Sequence, residues 1–274
     1  MGEVTVTTPI RPLVLTGERT APGIWHENYW FRRHEVVYAC VTGWLDVPPA
    51  VVLDAGSGEG YAAALFGTAW PEACVLGVDY DAVAVAHAGS AYGGRNTAYV
   101  RGALTALPLR TGVADATVSL QVLEHIWTPA EFVHELARVT ASGGLLVLST
   151  PNRLTFSPGL PRLGTPPSAY HVREYDPDEL GRELRRWLPG WELVLHGVRL
   201  AARLRQWEED HGSLAAAQQA SEPAQWSPEL ATVVRSVARD DFVLGEPDDT
   251  CLDLVAVLHP PRSRALATDF PNPC

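Results

Sequence analysis

The sequence is poor in cysteine and in basic residues, and it has no long apolar run. Its four cysteines (Cys40, Cys74, Cys251 and Cys274) are scattered without a CxxC pair, which argues against a zinc site or a disulfide framework. No apolar stretch approaches the ~20 residues that a membrane span needs, and no basic-then-apolar leader opens the chain. We therefore expect a soluble, cytoplasmic protein.

The 32 acidic residues outnumber the 21 basic ones, so the formal net charge is -11 at pH 7. This excess argues against general binding of nucleic acid and against attraction to anionic membranes, so we expect neither as a partner. A hydrophobic content of 46% over 274 residues is enough for a large buried core.

Residues 51 to 61 read VVLDAGSGEGY, an apolar run followed by Asp54 and by glycines at alternate positions. Those glycines are Gly56, Gly58 and Gly60, and glycine lets a backbone approach a ligand closely. A strand that leads into such a turn at the start of a helix predicts a nucleotide-like ligand. The GxGxG spacing differs from the GxGxxG of dinucleotide-binding folds, and no Lys-Ser or Lys-Thr pair follows as in NTPase phosphate loops.

Strands and helices alternate along the middle of the chain. The apolar runs predict strands over residues 50–55, 74–81, 97–102, 116–123 and 145–152, and helices over residues 61–69, 82–91 and 129–140. Thr128, Pro129 and Glu131 predict a capping box at the start of the third helix, which we expect to end before Gly143-Gly144. This alternation predicts an α/β fold with a parallel sheet that is covered by helices on both faces. Ligands of such sheets lie outside the carboxyl ends of the strands.

The two ends of the chain differ from this pattern. We expect an N-terminal arm and helical cap over residues 1–49, with an amphipathic helix from His26 to Leu45, and a C-terminal tail over residues 263–274. The domain over residues 50–262 adds strands at 191–200 and 251–260. Between them we expect a helical insertion over about 201–246, including a helix at 227–242. An insertion there is a common way to build a lid or an acceptor pocket.

A carboxylate at the end of the second predicted strand suits a ribose. Asp79 lies nineteen residues after Gly60, where an acid accepts hydrogen bonds from two ribose hydroxyls. Tyr80 follows it and is placed to pack against an adenine ring. Together with the glycine turn, these residues favour a nucleoside ligand over a merely structural turn.

These motifs together resemble the class I S-adenosylmethionine-dependent methyltransferases over residues 51–258. VLDAGSGEGY matches the family's first motif, GVDYD its ribose acid, ALTALPLRTGVADATVSLQVLEHI its middle motifs and GGLLVLSTPNR its fifth strand. The resemblance implies a Rossmann-like fold with a mostly parallel seven-stranded sheet, and S-adenosylmethionine as cofactor with S-adenosylhomocysteine as product. It implies that the backbone near Ala103-Leu104 meets the adenine, although many members carry an Asp at the position of Ala103. The cofactor-binding residues we expect are Arg33, Asp54, Gly56, Gly58, Gly60, Asp79, Tyr80, Ala103, Leu104 and Gln121.

A narrower resemblance concerns the acceptor. LTGERTAPG, ENYWFRRHEVVY, STPNRLTFSPG and YHVREY are similar to methyltransferases of actinobacterial polymethylated-polysaccharide pathways, which make the methylmannose polysaccharides and methylglucose lipopolysaccharides of mycobacteria. This likeness implies a sugar hydroxyl on a short mannose or glucose oligosaccharide as acceptor. The leading expectation is a 1-O-methyltransferase that blocks the reducing end of a 3-O-methylated mannoside.

The predicted end of strand four, QVLEHI, carries the candidate base. We expect His125 to take the proton of the acceptor hydroxyl, because imidazole titrates near neutral pH. Glu124 is expected to orient His125 or to bind the sugar. His171, with Glu174 nearby, is a further candidate for the base or for the acceptor pocket. A purely structural role stays open for all of them. It stays open for Arg33 too, which could pair with the cofactor's carboxylate or lie on a solvated helix face.

Other readings of these residues remain open. Glu124, His125, Asp240 and Asp241 offer oxygen and nitrogen ligands, but no ligand-spaced motif demands a cation, and we predict no metal. Tryptophans that could face sugar rings are Trp30, Trp127, Trp207 and Trp226, although core packing fits each of them as well. A nucleotide-dependent oxidoreductase, a non-catalytic cofactor-binding regulator and a natural-product methyltransferase are the alternative functions, and a homodimer is one arrangement left open.

Overall fold

The computed structural model describes residues 20–261, so most of the predicted arm and the whole of the predicted tail lie outside the described residues. Within this range one sheet contains eight strands: β1 Val51–Ala55, β2 Cys74–Asp79, β3 Thr97–Arg101, β4 Ala114–Leu120, β5 Thr140–Pro151, β6 Glu192–Leu200, β7 Phe242–Gly245 and β8 Asp253–His259. The α-helices are α1 Asn28–Val41, α2 Tyr61–Ala69, α3 Ala82–Tyr92, α4 Pro129–Val139, α5 Arg153–Phe156, α6 Pro177–Trp187, α7 Ala202–His211, α8 Leu214–Gln219 and α9 Pro228–Ser236. None of the helices described is long and apolar enough to cross a membrane.

The strand order across the sheet is β3-β2-β1-β4-β5-β8-β6-β7. Strands β1 to β5 pair in parallel, whereas β8 pairs antiparallel with both β5 and β6. The chain leaves β1 toward β2 on one side and returns through β4 on the other, so the order reverses between β1 and β4. The carboxyl ends of β1, β2, β4 and β5 therefore meet at one edge of the sheet, where this topology places ligands.

Apolar side chains cover both faces of the sheet, as the alternation predicts. On β5, Leu145 and Val147 lie in the core on the side of α1, α2 and α9, whereas Leu146 and Leu148 lie in the core on the side of α4 and α6. All four side chains are buried. A central strand that is apolar on both sides is what a sheet covered by two helical layers requires.

The strand count is one higher than expected, because the predicted helix over 227–242 ends early. Helix α9 ends at Ser236, and Phe242 then starts β7, which pairs antiparallel with β6. Phe242 is buried and Val243 is 45% exposed, so these residues follow the period of a strand at the edge of a core. Aromatic packing of Phe242 on Tyr29, with ring centroids 5.4 Å apart, anchors this edge to α1.

Two further local expectations were wrong in detail. Helix α4 ends at Val139, before Gly143-Gly144 as expected, but β5 already begins at Thr140 and not at Leu145, so it includes both glycines. A Cβ on Gly144 would come within 2.7 Å of the Asp115 carbonyl oxygen. Helix α4 begins where expected, yet the Thr128 side chain makes no capping hydrogen bond, so the capping box does not form. The sequence analysis also missed α6, whose N-terminus is capped by the Asp176 carboxylate through the Glu179 N–H at 2.8 Å.

The N-terminal helix and the insertion form one cap beside the ligand edge of the sheet. The Asn28 side-chain amide donates to the carbonyl oxygens of Val234 and Val237 at 2.9 and 2.8 Å, which ties α1 to the end of α9. Leu204 and Leu214, from α7 and α8, are fully buried in the same core as α1. Residues from both segments are therefore positioned to line a site at this edge.

Candidate active site

The glycine turn after β1 is tied to the end of β2. The N–H groups of Gly56 and Ser57 donate to the Val78 carbonyl oxygen at 2.7 and 3.0 Å, and the Gly58 N–H donates to Asp79 Oδ2 at 2.8 Å. Gly58 has a φ of 50° and a Cβ there would meet no atom within 4 Å, so the backbone itself faces open space. The sequence thus builds a bare main-chain surface next to a carboxylate.

Gly60 has a different role from the other two glycines. It is the N-cap residue of α2 at a φ of 102°, and a Cβ there would lie 2.5 Å from the Cβ of Ala88 on α3. The Tyr99 hydroxyl donates to its carbonyl oxygen at 2.5 Å. Gly60 therefore permits close packing of α2 against its neighbours and does not line the cavity described next.

A cavity of about 580 Å³ opens above this turn at the carboxyl ends of β1, β2 and β4. It brings together seven of the ten expected cofactor-binding residues: Gly56, Gly58, Asp79, Tyr80, Ala103, Leu104 and Gln121. Of the remaining three, Asp54 is fully buried beneath the turn, Gly60 packs between helices, and Arg33 lies elsewhere. We call this space the cofactor cavity.

The surroundings of the cofactor cavity are acidic. Burial, followed by the nearby charge of Asp79, raises the pKa of Asp54 to about 7. Among the residues described, neither oxygen of Asp54 has a hydrogen bond of ordinary geometry, and Oε2 of Glu59 also has no partner. Burial raises the pKa of Glu59 as well. No lysine or arginine is among the described residues that line the cavity, so it fits a nucleoside carrying positive charge, such as a sulfonium, better than a phosphate.

Gln121 marks the end of β4 with a strained backbone. Its φ of 55° is the one positive value among the non-glycine residues described. The position is held by its N–H, which donates to the Ser149 carbonyl oxygen at 3.0 Å, and by its side-chain amide, which donates to the Ser149 hydroxyl at 3.0 Å. Backbone strain that neighbouring groups hold in place is typical of functional positions.

A second cavity of about 450 Å³ adjoins the first, and we call it the acceptor cavity. The two share a wall formed by Thr20, His34, Gln121, His125 and Tyr170. All three residues expected to be catalytic (Glu124, His125 and His171) line the acceptor cavity, and His125 alone of them lines both. Its imidazole therefore lies where a group passing from one cavity to the other would be transferred.

His125 is oriented by its neighbours. Its Nδ1 lies 3.0 Å from the Tyr170 carbonyl oxygen, a contact that favours the tautomer with the proton on Nδ1 and the lone pair on Nε2. That Nε2 is 3.8 Å from Oε1 of Glu124. The Glu124 side chain is 1% exposed, and its other oxygen accepts a hydrogen bond from the Thr150 hydroxyl at 3.0 Å. Burial raises the pKa of Glu124, although the two histidines nearby oppose the rise.

His171 forms a second histidine–carboxylate pair beside the first. Its Nδ1 lies 2.8 Å from Oε1 of Glu174, its ring stacks on Phe156, and it meets the ring of His125 edge-on with centroids 5.1 Å apart. Glu124, His125 and His171 each place one ligand atom within 4.8 Å of the others. This trio, and not the set with Asp240 and Asp241, is where a cation would find ligands.

Arg33 and Asp241 are both held by partners within the protein. Arg33 is buried, so it does not lie on a solvated helix face. It forms a salt bridge with Asp253, with its Nε 2.5 Å from Oδ2, and donates to the Leu252 carbonyl oxygen at 2.8 Å. It lines the acceptor cavity and not the cofactor cavity. Asp241 is held by Arg203 and by the Ala238 N–H, away from Glu124.

The sequence analysis missed His34 and Tyr170 as site residues, although both line the shared wall. Burial lowers the pKa of His34 to about 4, so its imidazole is neutral near pH 7 and can donate or accept a hydrogen bond. In the sequence, His34 recurs at helical spacing with Trp30, Val37 and Val41, a pattern that indicates a core-facing position and not a site residue. Tyr170 lies in the long loop between α5 and α6, where no periodic signal exists.

Comparisons with known proteins identify the family of this chain. A family described as a methyltransferase domain matches residues 53–148. A protein named a probable S-adenosylmethionine-dependent methyltransferase of Mycobacterium tuberculosis is 42% identical over 254 residues, which cover 89% of each chain. A relative of the same description in Mycolicibacterium smegmatis is 42% identical over 257 residues, covering 89% of this chain and 94% of its own.

The fold is also shared with solved structures. An S-adenosylmethionine-dependent methyltransferase from Thermotoga maritima has a TM-score of 0.54 at 16% identity, covering 84% of this chain and 92% of its own. That likeness concerns the Rossmann-like fold alone. The two mycobacterial relatives, in contrast, match over 89% of this chain at 42% identity. The chain therefore belongs to the class I S-adenosylmethionine-dependent methyltransferases, and its cofactor is S-adenosylmethionine.

Proposed function

We propose that the protein transfers a methyl group from S-adenosylmethionine to a hydroxyl group of a sugar. Following the narrower sequence resemblance, we favour the reducing-end 1-OH of a short 3-O-methylated mannoside in methylmannose polysaccharide biosynthesis. A glucoside of the methylglucose lipopolysaccharide type and a natural-product hydroxyl are the alternatives. The position of His125 on the wall between the two cavities is the observation that carries the proposal.

The chemistry requires a proton acceptor at that wall. Bound S-adenosylmethionine supplies an electrophilic methyl carbon, and transfer forms the oxygen–carbon bond as the sulfur–carbon bond breaks. A sugar hydroxyl is weakly acidic, so a base must remove its proton as the new bond forms. Nε2 of His125 accepts that proton, and the buried Glu124 carboxylate 3.8 Å away stabilises the resulting imidazolium. General-base catalysis of this kind contributes about 10²- to 10⁴-fold to the rate.

The composition of the acceptor cavity supports a sugar. Trp30, Phe156 and Tyr170 offer ring surfaces, and Gln121, Ser157 and Gln219 offer groups that donate and accept hydrogen bonds. A pyranose has apolar faces of C–H groups and a rim of hydroxyls, so it matches such an alternation of aromatic and amide side chains. A small aliphatic amine would leave most of these polar groups without a partner.

The residues of the cofactor cavity support one orientation of the cofactor. The Asp79 carboxylate accepts from the N–H groups of Gly58 and Asp81 at 2.8 and 2.9 Å, and each oxygen retains a lone pair for a ribose hydroxyl. The bare turn at Gly56 and Gly58 then receives the amino-acid part. A cofactor held in this way would present its methyl group to the shared wall, which His125 lines.

Methyl transfer to defined acceptors tests the proposal. The full-length protein would be incubated with S-adenosylmethionine labelled in its methyl group and with 3-O-methylated mannosides, unmethylated mannose oligosaccharides and glucose oligosaccharides. We expect label on an oligosaccharide hydroxyl, with the 3-O-methylated mannoside favoured, and loss of transfer when its 1-OH is blocked. Label only on small amines or proteins would refute a sugar acceptor. Label on the glucose series alone would favour the glucoside alternative.

A further inference from the structure

A third cavity lies beyond the acceptor cavity, on the side away from the cofactor. It has a volume of about 480 Å³ and shares Trp30 and Gln219 with the acceptor cavity as a common wall. Its other sides come from the turn that precedes α1 and from the segment between α8 and α9. The cofactor, acceptor and third cavities therefore follow one another in a row, because each adjoining pair shares wall residues.

The third cavity contains a buried polar group without a partner. Gln218 lines it and is 6% exposed, and its Nε2 donates to the Leu214 carbonyl oxygen at 3.1 Å. Within residues 20–261 the Gln218 Oε1 has no hydrogen-bond partner. A buried carbonyl oxygen without a donor destabilises the fold, so its presence here points to a ligand that supplies the donor.

The remaining side chains of this cavity are also of the kind that binds sugars. The Trp226 indole is held in place because its Nε1 donates to the Ser221 carbonyl oxygen at 2.9 Å. Gln219 and Gln225 add two amides, and Glu27 and His26 complete the polar rim. No lysine or arginine lines the cavity among the residues described, so an anionic ligand finds no countercharge there.

We propose that the third cavity is a distal subsite that binds the second sugar unit of an oligosaccharide whose first unit occupies the acceptor cavity. This inference rests on the proposed sugar acceptor and goes beyond it, because it assigns a minimum acceptor length of two units. In this arrangement Gln218 accepts a hydrogen bond from a hydroxyl of the second unit. Trp30 and Gln219 contact the linkage between the two units.

Binding measurements separate this subsite from catalysis. Isothermal titration calorimetry on the full-length protein saturated with S-adenosylhomocysteine would use mannose and glucose oligosaccharides of one to four units. For one of the series we expect Kd to fall at least about tenfold from one unit to two, and to change little after that. Gln218→Met removes the amide at nearly constant volume and should raise the disaccharide Kd about three- to tenfold, which is the effect of one lost hydrogen bond.

Two further variants keep the test decisive. Gln219→Ala changes an exposed residue on the common wall, so it tests the same subsite without disturbing the core, and we expect it to raise the disaccharide Kd as well. Gln206→Met, an exposed glutamine of α7 outside all three cavities, is the matched control and should keep the wild-type Kd.

The outcomes distinguish the two proposals. Binding that does not depend on chain length, or absence of sugar binding, would overturn the distal subsite. Length-dependent binding that Gln218→Met and Gln219→Ala weaken would support it. Transfer of labelled methyl is measured in parallel, with the same protein preparations and oligosaccharides but with methyl-labelled S-adenosylmethionine in place of S-adenosylhomocysteine. Length-dependent binding without any transfer would therefore refute the proposed function while the subsite stands.

Discussion

Replacement of Asp54 by Asn tests the electrostatics beneath the glycine turn. Asp54 is fully buried, neither of its oxygens has a hydrogen-bond partner of ordinary geometry in the part of the chain described, and its pKa rises from 3.8 to about 7. The unfolded chain ionises this carboxyl above about pH 4, whereas the folded protein without cofactor keeps it protonated up to about pH 7. Between these values the folded state binds one more proton than the unfolded state.

The sign of the effect follows from this difference in bound protons. Stability falls as pH rises wherever the folded state binds more protons, so Asp54 lowers the free energy of unfolding progressively from about pH 4 to pH 7. The full shift corresponds to about 4 kcal/mol at 1.36 kcal/mol per pH unit. Between pH 5 and pH 8, the titration of Asp54 lowers the free energy of unfolding by about 3 kcal/mol. Asp54→Asn removes this titration and keeps the shape of the side chain.

Denaturant unfolding at pH 5, 6, 7 and 8 without cofactor measures this effect. From pH 5 to pH 8, the free energy of unfolding of wild type should fall by about 3 kcal/mol relative to that of Asp54→Asn. Asp46→Asn, at an exposed aspartate of the same chain, should follow the wild-type curve at every pH. Parallel curves for Asp54→Asn and wild type would show that Asp54 does not titrate in this range, and the argument would fail.

Three shorter predictions concern the base, the glycine turn and the metal. His125→Gln should lower kcat about 10²- to 10⁴-fold with a far smaller change in the calorimetric Kd of S-adenosylmethionine, and an equal loss in both would make His125 a binding residue. Gly58→Val should weaken cofactor binding at least about tenfold, because a Cβ at Gly58 would face the cavity. Gly60→Val should mainly lower the unfolding free energy, because a Cβ at Gly60 would meet Ala88. Dialysis against EDTA should leave turnover intact, whereas a loss that Mn²⁺ or Zn²⁺ restores would assign a cation to the trio of Glu124, His125 and His171.

The site residues that could be predicted from the sequence lie close to one another along the chain. The turn at Gly56 and Gly58 and the carboxylate of Asp79 belong to one strand–turn–helix–strand unit, whose pairing register follows from its apolar pattern. Alternation of strands and helices also predicted the edge of the sheet where the cavity lies. The resemblance to a known family rests on these same residues. In the cofactor cavity, the residues that the sequence pattern singled out are therefore the ones whose chemistry suits a nucleoside.

The acceptor side depends on contacts between distant segments, so the sequence pattern could not predict it. Arg33 was expected near the cofactor, but its partner Asp253 lies 220 positions later in the chain. Tyr170 reaches the shared wall from a loop without periodicity, and Gln219 reaches the acceptor cavity from a short helix of the insertion. The strand β7 was missed for a related reason, since only pairing with β6 decides that residues 242–245 are extended.

The acidic cofactor cavity also bears on product release. S-adenosylmethionine carries a sulfonium charge that S-adenosylhomocysteine lacks. A cofactor bound in this cavity would therefore lose one positive charge near Asp54, Glu59 and Asp79 when its methyl group is transferred. Opposite charges about 6 Å apart attract by about 3 kcal/mol at an effective dielectric constant near 20. An attraction of this size is enough for the cavity to bind S-adenosylmethionine more tightly than S-adenosylhomocysteine. Because Asp54 is protonated below about pH 7 in the free protein, this preference should be larger at pH 8 than at pH 6. Calorimetric Kd values for the two compounds at these pH values measure it. A ratio that is the same at both pH values would mean that Asp54 has no part in distinguishing substrate from product.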